Sequence, residues 1–171
     1  VQNTMLLSRK AKKEQKVEQV LLENYNSYYR LAYSYVHNEA DAGDIVQNGA
    51  YKAILHSDSL KQEEYAATWV YRIMLNEIFR FLKKDKPISL DEIQVEYGKE
   101  DSYENVDLRN ALNAMSMEDK AVIELKYFED LKLTEIAEVL GENVNTVKSR
   151  LYRGLKKLRL ELAEDGRMKG W

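Results

Sequence analysis

The sequence contains no cysteine, which excludes a disulfide framework, a thiolate metal site and a thiol nucleophile, and suits a reducing cytoplasm. Proline occurs once and glycine seven times in 171 residues. Sandwiches, barrels and glycine-rich phosphate loops draw on those residues for their turns, so the β classes lose ground. No apolar run reaches the roughly 18 residues that a membrane-spanning helix needs. The two histidines, His37 and His56, fall in no metal-ligand spacing. The acids around His37 (Glu39, Asp41 and Asp44) read as a helix start and a solvated turn. A Walker-type loop and G-x-G-x-x-G are also missing, and the carboxylates follow surface spacings instead of pairing as an acid and a base. No enzyme, no cofactor and no bound metal are expected.

What is present points to helices. Hydrophobic residues make up 44% of the chain and charged residues 32%, too apolar for a wholly disordered chain. The length is enough for one ordinary domain or two small ones. The N-terminus, VQNTMLLSRKAKKEQK, is basic and lacks the apolar centre of a secretory signal. A net charge of −3 argues on its face against a nucleic-acid partner, but the charge is unevenly placed. Val144 to Leu160 holds six bases and no acid, whereas Ile88 to Asp107 holds seven acids against Lys99. That acidic stretch follows Pro87, contains Gly98 and lacks sustained periodicity, so it reads as a linker between two domains, with a long loop inside one domain as the alternative.

In the first block, Val17, Val20, Leu21, Tyr25, Tyr28, Leu31, Ala32 and Tyr35 recur at three-or-four spacing, which predicts one long amphipathic helix ending near His37 and Asn38. A second helix fits Asp41 to about His56, with Ala42, Ile45, Val46, Gly49, Ala53 and Ile54 inward. Gly49 costs about 1 kcal/mol relative to alanine in a helix and so marks a close helix contact. A third helix covers about Ala66 to Lys84. There Trp69, Arg72, Asn76, Arg80 and Lys83 share a polar stripe while Val70, Ile73, Met74 and Phe81 spread over the rest. Cations for phosphates, an amide for base edges and an aromatic for stacking suit a nucleic-acid strand. Spacing alone equally allows a solvated face beside a core tryptophan.

The second block predicts helices over Glu118 to Phe128, Leu133 to Leu140 and about Val144 to Leu160. Gly141-Glu142-Asn143 is the short turn of a helix-turn-helix, with small Ala137 before it and Ile136, Leu140, Val144, Val147, Leu151 and Leu155 closing the core. An α-helix fits the major groove. Asn145, Thr146, Lys148, Ser149, Arg150 and Arg153 are therefore the candidate readers, with Lys156, Lys157 and Arg159 as phosphate clamps. Two other uses remain open on these residues alone: a free-standing dimeric operator-binding regulator, and an adaptor whose basic faces bind acidic proteins.

Three strings carry a family resemblance. DAGDIVQ (residues 41–47) resembles the D-A-x-D-[LIV]-V-Q motif of the extracytoplasmic-function sigma factors of bacterial RNA polymerase, and TWVYRIMLN (68–76) resembles their T-W-L-x-R-I-x-x-N segment. EIAEVLG followed by TVKSRLYRGLKKLR (135–141 and 146–159) is similar to their helix-turn-helix. The resemblance implies an all-α protein of two small helical domains joined by an acidic linker, the second a helix-turn-helix. The boundaries are a basic N-terminal extension (1–16), a region 2 domain (17–86), the linker (87–107) and a region 4 domain (108–171). It implies that Asp41, Asp44, Gln47 and Asn48 dock on the polymerase clamp. Trp69, Arg72, Asn76, Arg80 and Lys83, with the loop from about Ser57 to Thr68, recognise and help melt the minus-ten element. The second domain reads the minus-thirty-five element through Lys148, Ser149, Arg150, Tyr152 and Arg153 and touches the polymerase flap. The implied partners are core polymerase, promoter DNA and an anti-sigma factor, often membrane-anchored; this chain itself is not inserted in a membrane. The chain departs from the family at Asn48 (usually Glu), at Arg80 (often Asp or Asn) and at Asp130 and Lys132 (commonly Gly and Ser). The last pair predicts an altered cap on the helix that follows, using Thr134.

Overall fold

The computed structural model describes residues 2–84 and 103–164. These form two compact units, one within Val1–Asp85 and the other within Lys86–Trp171. Among the described residues every regular element is helical. Most of the expected acidic linker, from residue 87 to residue 102, lies outside the described residues; its last five residues open a helix.

The N-terminal unit contains α1 (Gln2–Glu23), α2 (Tyr25–Val36), α3 (Glu39–Leu55), two short 3-10 turns (Ser57–Ser59 and Glu63–Tyr65) and α4 (Ala66–Lys84). Two sequence expectations change here. The first helix starts well before Val17, because residues 2–16 belong to α1. The expected single long helix is broken at Asn24, where φ is −113° and ψ 15°. The Asn24 amide and its side-chain Nδ2 both donate to the Val20 carbonyl, at 3.0 and 3.1 Å. A short polar side chain competing for a helical carbonyl is a common way to end or bend a helix. The break turns Tyr25 outward, against its expected place in the core. There it starts a row with Tyr29 and Tyr33, whose rings stack at centroid distances of 6.4 and 6.3 Å.

Val17, Val20 and Leu21 of α1 are buried, as are Tyr28, Leu31, Ala32 and Tyr35 of α2. Tyr28 meets Tyr71 of α4 edge-on at 4.8 Å, and its hydroxyl donates to the Ala67 carbonyl at 3.4 Å. His37 ends α2 in the left-handed conformation, and the Asn38 side chain then accepts from the Asp41 amide at 2.9 Å to start α3. Gly49 sits where α3 crosses α4: a β-carbon there would lie 2.4 Å from Met74 Sδ.

The C-terminal unit contains α5 (Tyr103–Asn113), α6 (Met117–Ile123), α7 (Leu133–Leu140) and α8 (Val144–Glu164). The pattern read as one α-helix to Phe128 becomes a π turn over Glu124–Phe128, with the Glu129 amide bonded to the Glu124 carbonyl at 3.1 Å. Leu125 stays in the core while Tyr127 and Phe128 face outward. The start of α7 also differs from expectation. Glu135, not Thr134, supplies the cap, its Oε1 accepting from the Lys132 amide at 3.0 Å. Gly141 is left-handed, at φ 66°, and the Glu142 amide reaches back to the Ala137 carbonyl at 3.0 Å. This is the closing bond pattern that favours glycine after a helix. Asn143 caps α8 through Thr146.

Asp130 is left-handed as well, at φ 58°. An L-residue there is strained and glycine is not. Asp130→Gly is therefore expected to stabilise the unit by about 0.5 to 1 kcal/mol, read as a higher denaturant midpoint with an unchanged slope.

Candidate nucleic-acid interface

On α4, Val70, Tyr71, Met74, Leu75 and Ile78 are buried. Their spacing leaves Arg72, Asn76, Arg80 and Lys83 on one exposed stripe, with Trp69 half-buried at its start. The sequence missed how Arg80 is held. Glu77, 8% exposed, accepts from Lys52 of α3 and lies 3.3 Å from Arg80 Nη1. A buried carboxylate needs such cations. Before the stripe, the loop of 3-10 turns is anchored by buried Leu60, and Lys13 of α1 donates to the Asp58 carbonyl at 3.5 Å.

The candidate polymerase residues sit on α3. Asp44, Gln47 and Asn48 are exposed on one face and Asp41 is half-buried at the capped start. The same row continues into Tyr51 and Leu55, which are 67% and 54% exposed. Those two extend the face beyond the residues singled out from sequence, and the steps of four from Gln47 to Tyr51 and from Tyr51 to Leu55 were the available signal.

In α8 the buried row is Val147, Leu151, Gly154 and Leu158. A β-carbon on Gly154 would lie 3.2 Å from Ile123 of α6, so the helices touch closely there. The opposite row, exposed throughout, is Asn145, Lys148, Ser149, Tyr152, Lys156 and Arg159. Thr146 is half-buried and its hydroxyl donates to Asn143 Oδ1 at 3.0 Å, so it serves the helix start. Lys157 is half-buried and donates to the Ala114 carbonyl after α5.

The two arginines are placed differently from expectation. Arg150 turns out of the exposed row: its Nε and Nη2 each lie 2.8 Å from the Glu142 carboxylate, and its Nη1 lies 3.0 Å from Asp119. Arg153 remains 61% exposed, but its Nε and Nη2 lie 2.7 and 3.1 Å from the same Asp119. A bidentate carboxylate is the strongest ordinary partner for a guanidinium, so it competes with a base edge. Burial by itself would push the Asp119 carboxyl up, but hydrogen bonds from Arg153 and Arg150 outweigh it and hold the group below the usual range. The hydrogen bond to Glu142 likewise raises Arg150, and that to Asp119 raises Arg153. Asp119 lies in the first turn of α6, and its amide donates to Ser116 Oγ at 3.1 Å. Nothing local signalled partners more than 30 residues away.

Two further findings bear on these surfaces. Sigma-70 region 2 matches residues 21–87 and Sigma-70, region 4 matches residues 105–158. Over 162 residues the chain is 42% identical to RNA polymerase sigma factor SigV of Bacillus subtilis (strain 168), covering 90% of this chain and 98% of the relative. It is 32% identical to the ECF RNA polymerase sigma factor SigW of the same strain, over 80% of this chain and 83% of the relative. The chain belongs to the extracytoplasmic-function sigma factors. It is thus a transcription initiation factor that works with RNA polymerase on promoter DNA. In fold it is similar to the sigma factor RpoE from Bartonella quintana, solved in complex with the anti-sigma factor NepR. That likeness has a TM-score of 0.70 at 24% identity, over 85% of this chain and 96% of the other. Among the described residues, no helix of this sigma factor is long and apolar enough to cross a membrane.

Proposed function

We propose that this sigma factor reads the minus-thirty-five element with the exposed row of α8 and the minus-ten element with the α4 stripe. The observation that carries the reading is that Lys148, Ser149, Tyr152 and Lys156 share one uninterrupted exposed face of α8, the helix after the turn. Residues in the first half of such a helix reach base edges and later cations reach phosphates. Asn145, Lys148, Ser149 and Tyr152 are accordingly the readers, and Lys156 and Arg159 are clamps. Thr146 and Lys157 support the helix. On α4, Arg72, Arg80 and Lys83 take phosphates, Asn76 meets a base edge, and Trp69 offers a partly exposed ring for stacking. Asp44, Gln47 and Asn48, continued by Tyr51 and Leu55, form the face toward core polymerase.

Each contact is weak alone. Two readers on one chain make the second contact intramolecular, which raises avidity without new contacts. The chain performs no bond chemistry of its own and works in the cytoplasm, where polymerase is. RpoE was solved with an anti-sigma factor; a partner of that class is the expected regulator of this chain, and exposed Tyr51 and Leu55 of α3 are the apolar residues it would cover. Run-off transcription with purified core polymerase tests the reading. Core plus this chain is expected to initiate at a two-element promoter, and changing Lys148, Ser149 and Tyr152 together to alanine is expected to lower output at least tenfold while core binding persists. Tight sequence-specific binding by the free chain, with no stimulation of core polymerase, would instead indicate an independent repressor or activator.

A further inference from the structure

Asp119 is 7% exposed at the start of α6, yet it accepts from two arginines of α8, Arg150 through Nη1 at 3.0 Å and Arg153 through Nε and Nη2 at 2.7 and 3.1 Å. Glu142, in the turn between α7 and α8, takes the remaining edge of Arg150 with two bonds of 2.8 Å. One buried acid and one turn acid therefore occupy both guanidinium groups that stand nearest the reading face. We infer that Asp119 is a positioning residue that determines specificity: it withholds Arg150 and Arg153 from DNA, so that the bases are read by Lys148, Ser149 and Tyr152. The inference rests on the assignment of α8 as the upstream reader.

The physical grounds are these. An arginine fork on guanine is the commonest specific contact in a major groove. A guanidinium can make that contact only by leaving its carboxylates. If either arginine left, Asp119 would keep a charge inside the unit with half its partners gone, and uncompensated buried charge is strongly destabilising. The carboxylate is ionised over the ordinary pH range, held down by the two arginines despite its burial. The choice of readers is thus made in the free protein, before DNA arrives, and costs no reorganisation on binding. Arg153, with much of its side chain at the surface, is the group released most easily when Asp119 loses its charge.

The experiment uses the full chain assembled with core polymerase and a promoter library randomised across the upstream element. Asp119→Asn keeps the side-chain shape and removes the charge. It is expected to enrich guanine several-fold at one or two upstream positions, relative to the parent. It is also expected to steepen the salt dependence of promoter binding by roughly one phosphate charge. A folded Asp119→Asn protein with unchanged base preferences and an unchanged salt slope overturns the inference and leaves Asp119 a packing residue. Glu142→Gln is the second variant and remains decisive if Asp119→Asn does not fold. It frees the outer edge of Arg150 at a more exposed site and is expected to shift the same preferences in the same direction; unchanged preferences there also overturn the inference. If the parent holoenzyme itself enriches nothing in the upstream element, the assignment of α8 fails and this inference with it. If the parent enriches and the variants match it, the inference alone fails.

Discussion

Gly49→Val is expected to destabilise the N-terminal unit by about 3 kcal/mol, measured by denaturant unfolding of the full chain. The reason is geometric. The first added carbon would lie 2.4 Å from Met74 Sδ and 3.1 Å from its Cε, and Met74 is fully buried. Valine adds two more carbons and also restricts the helix at χ1. The far end of a methionine can give way in part, but Met74 is fully buried, so displacing it disturbs a packed interior. The coupling is testable in a double-mutant cycle. Met74→Ala alone is expected to cost about 2 to 4 kcal/mol through its cavity. Combined with Gly49→Val, it should cost markedly less than the sum, since the new side chain fills the space vacated. Additive losses would mean that the helices part instead of repacking.

The second large effect concerns Lys120, 4% exposed in α6, whose ammonium donates to Asn113 Oδ1 at 2.6 Å. Burial brings its pKa down from 10.5 to about 8, with Glu124 pulling it up and Arg109 pushing it further down. Below about pH 8 the lysine is charged in both folded and unfolded chains, and the fold bears the cost of burying that charge. Above it the folded lysine is neutral while the unfolded chain still binds the proton, so the unfolded state carries more protons and stability rises with pH. Between about pH 7.5 and about pH 9.5 the gain is expected to be roughly 2 kcal/mol. Unfolding followed in the C-terminal unit should show that rise in the parent and a nearly flat profile in Lys120→Met. A parent that loses stability across the window, or a variant with the same slope, would remove Lys120 as the cause.

The parts that were legible from sequence are those set by local rules. The α4 stripe followed from three-or-four spacing alone, and the helix-turn-helix followed from the short turn at Gly141, whose left-handed backbone favours a residue without a β-carbon. Gly49 announced a close contact, though not that Met74 was on the other side. The misses have physical causes. Apolar spacing runs unbroken through Asn24, so nothing in the periodicity marks the place where one side-chain amide interrupts the helix. Basic residues at Arg150 and Arg153 look alike in a row with Lys148, and only the tertiary approach of α6 and the turn acid Glu142 separates them. Glu77 and Lys52 were lost for the same reason: ion pairs between helices leave no trace in the spacing of either helix.

The π turn over Glu124–Phe128 has a consequence for how length can vary in this chain. The Glu129-to-Glu124 bond widens the last coil, so each residue turns less about the axis than in an α turn, and Leu125 within it and Leu131 beyond it are both buried. Excising a single residue there would let the wider coil tighten and swing the Tyr127 and Phe128 rings around the helix axis. The wide coil thus ties the rotational setting of that exposed aromatic pair to the length of the segment.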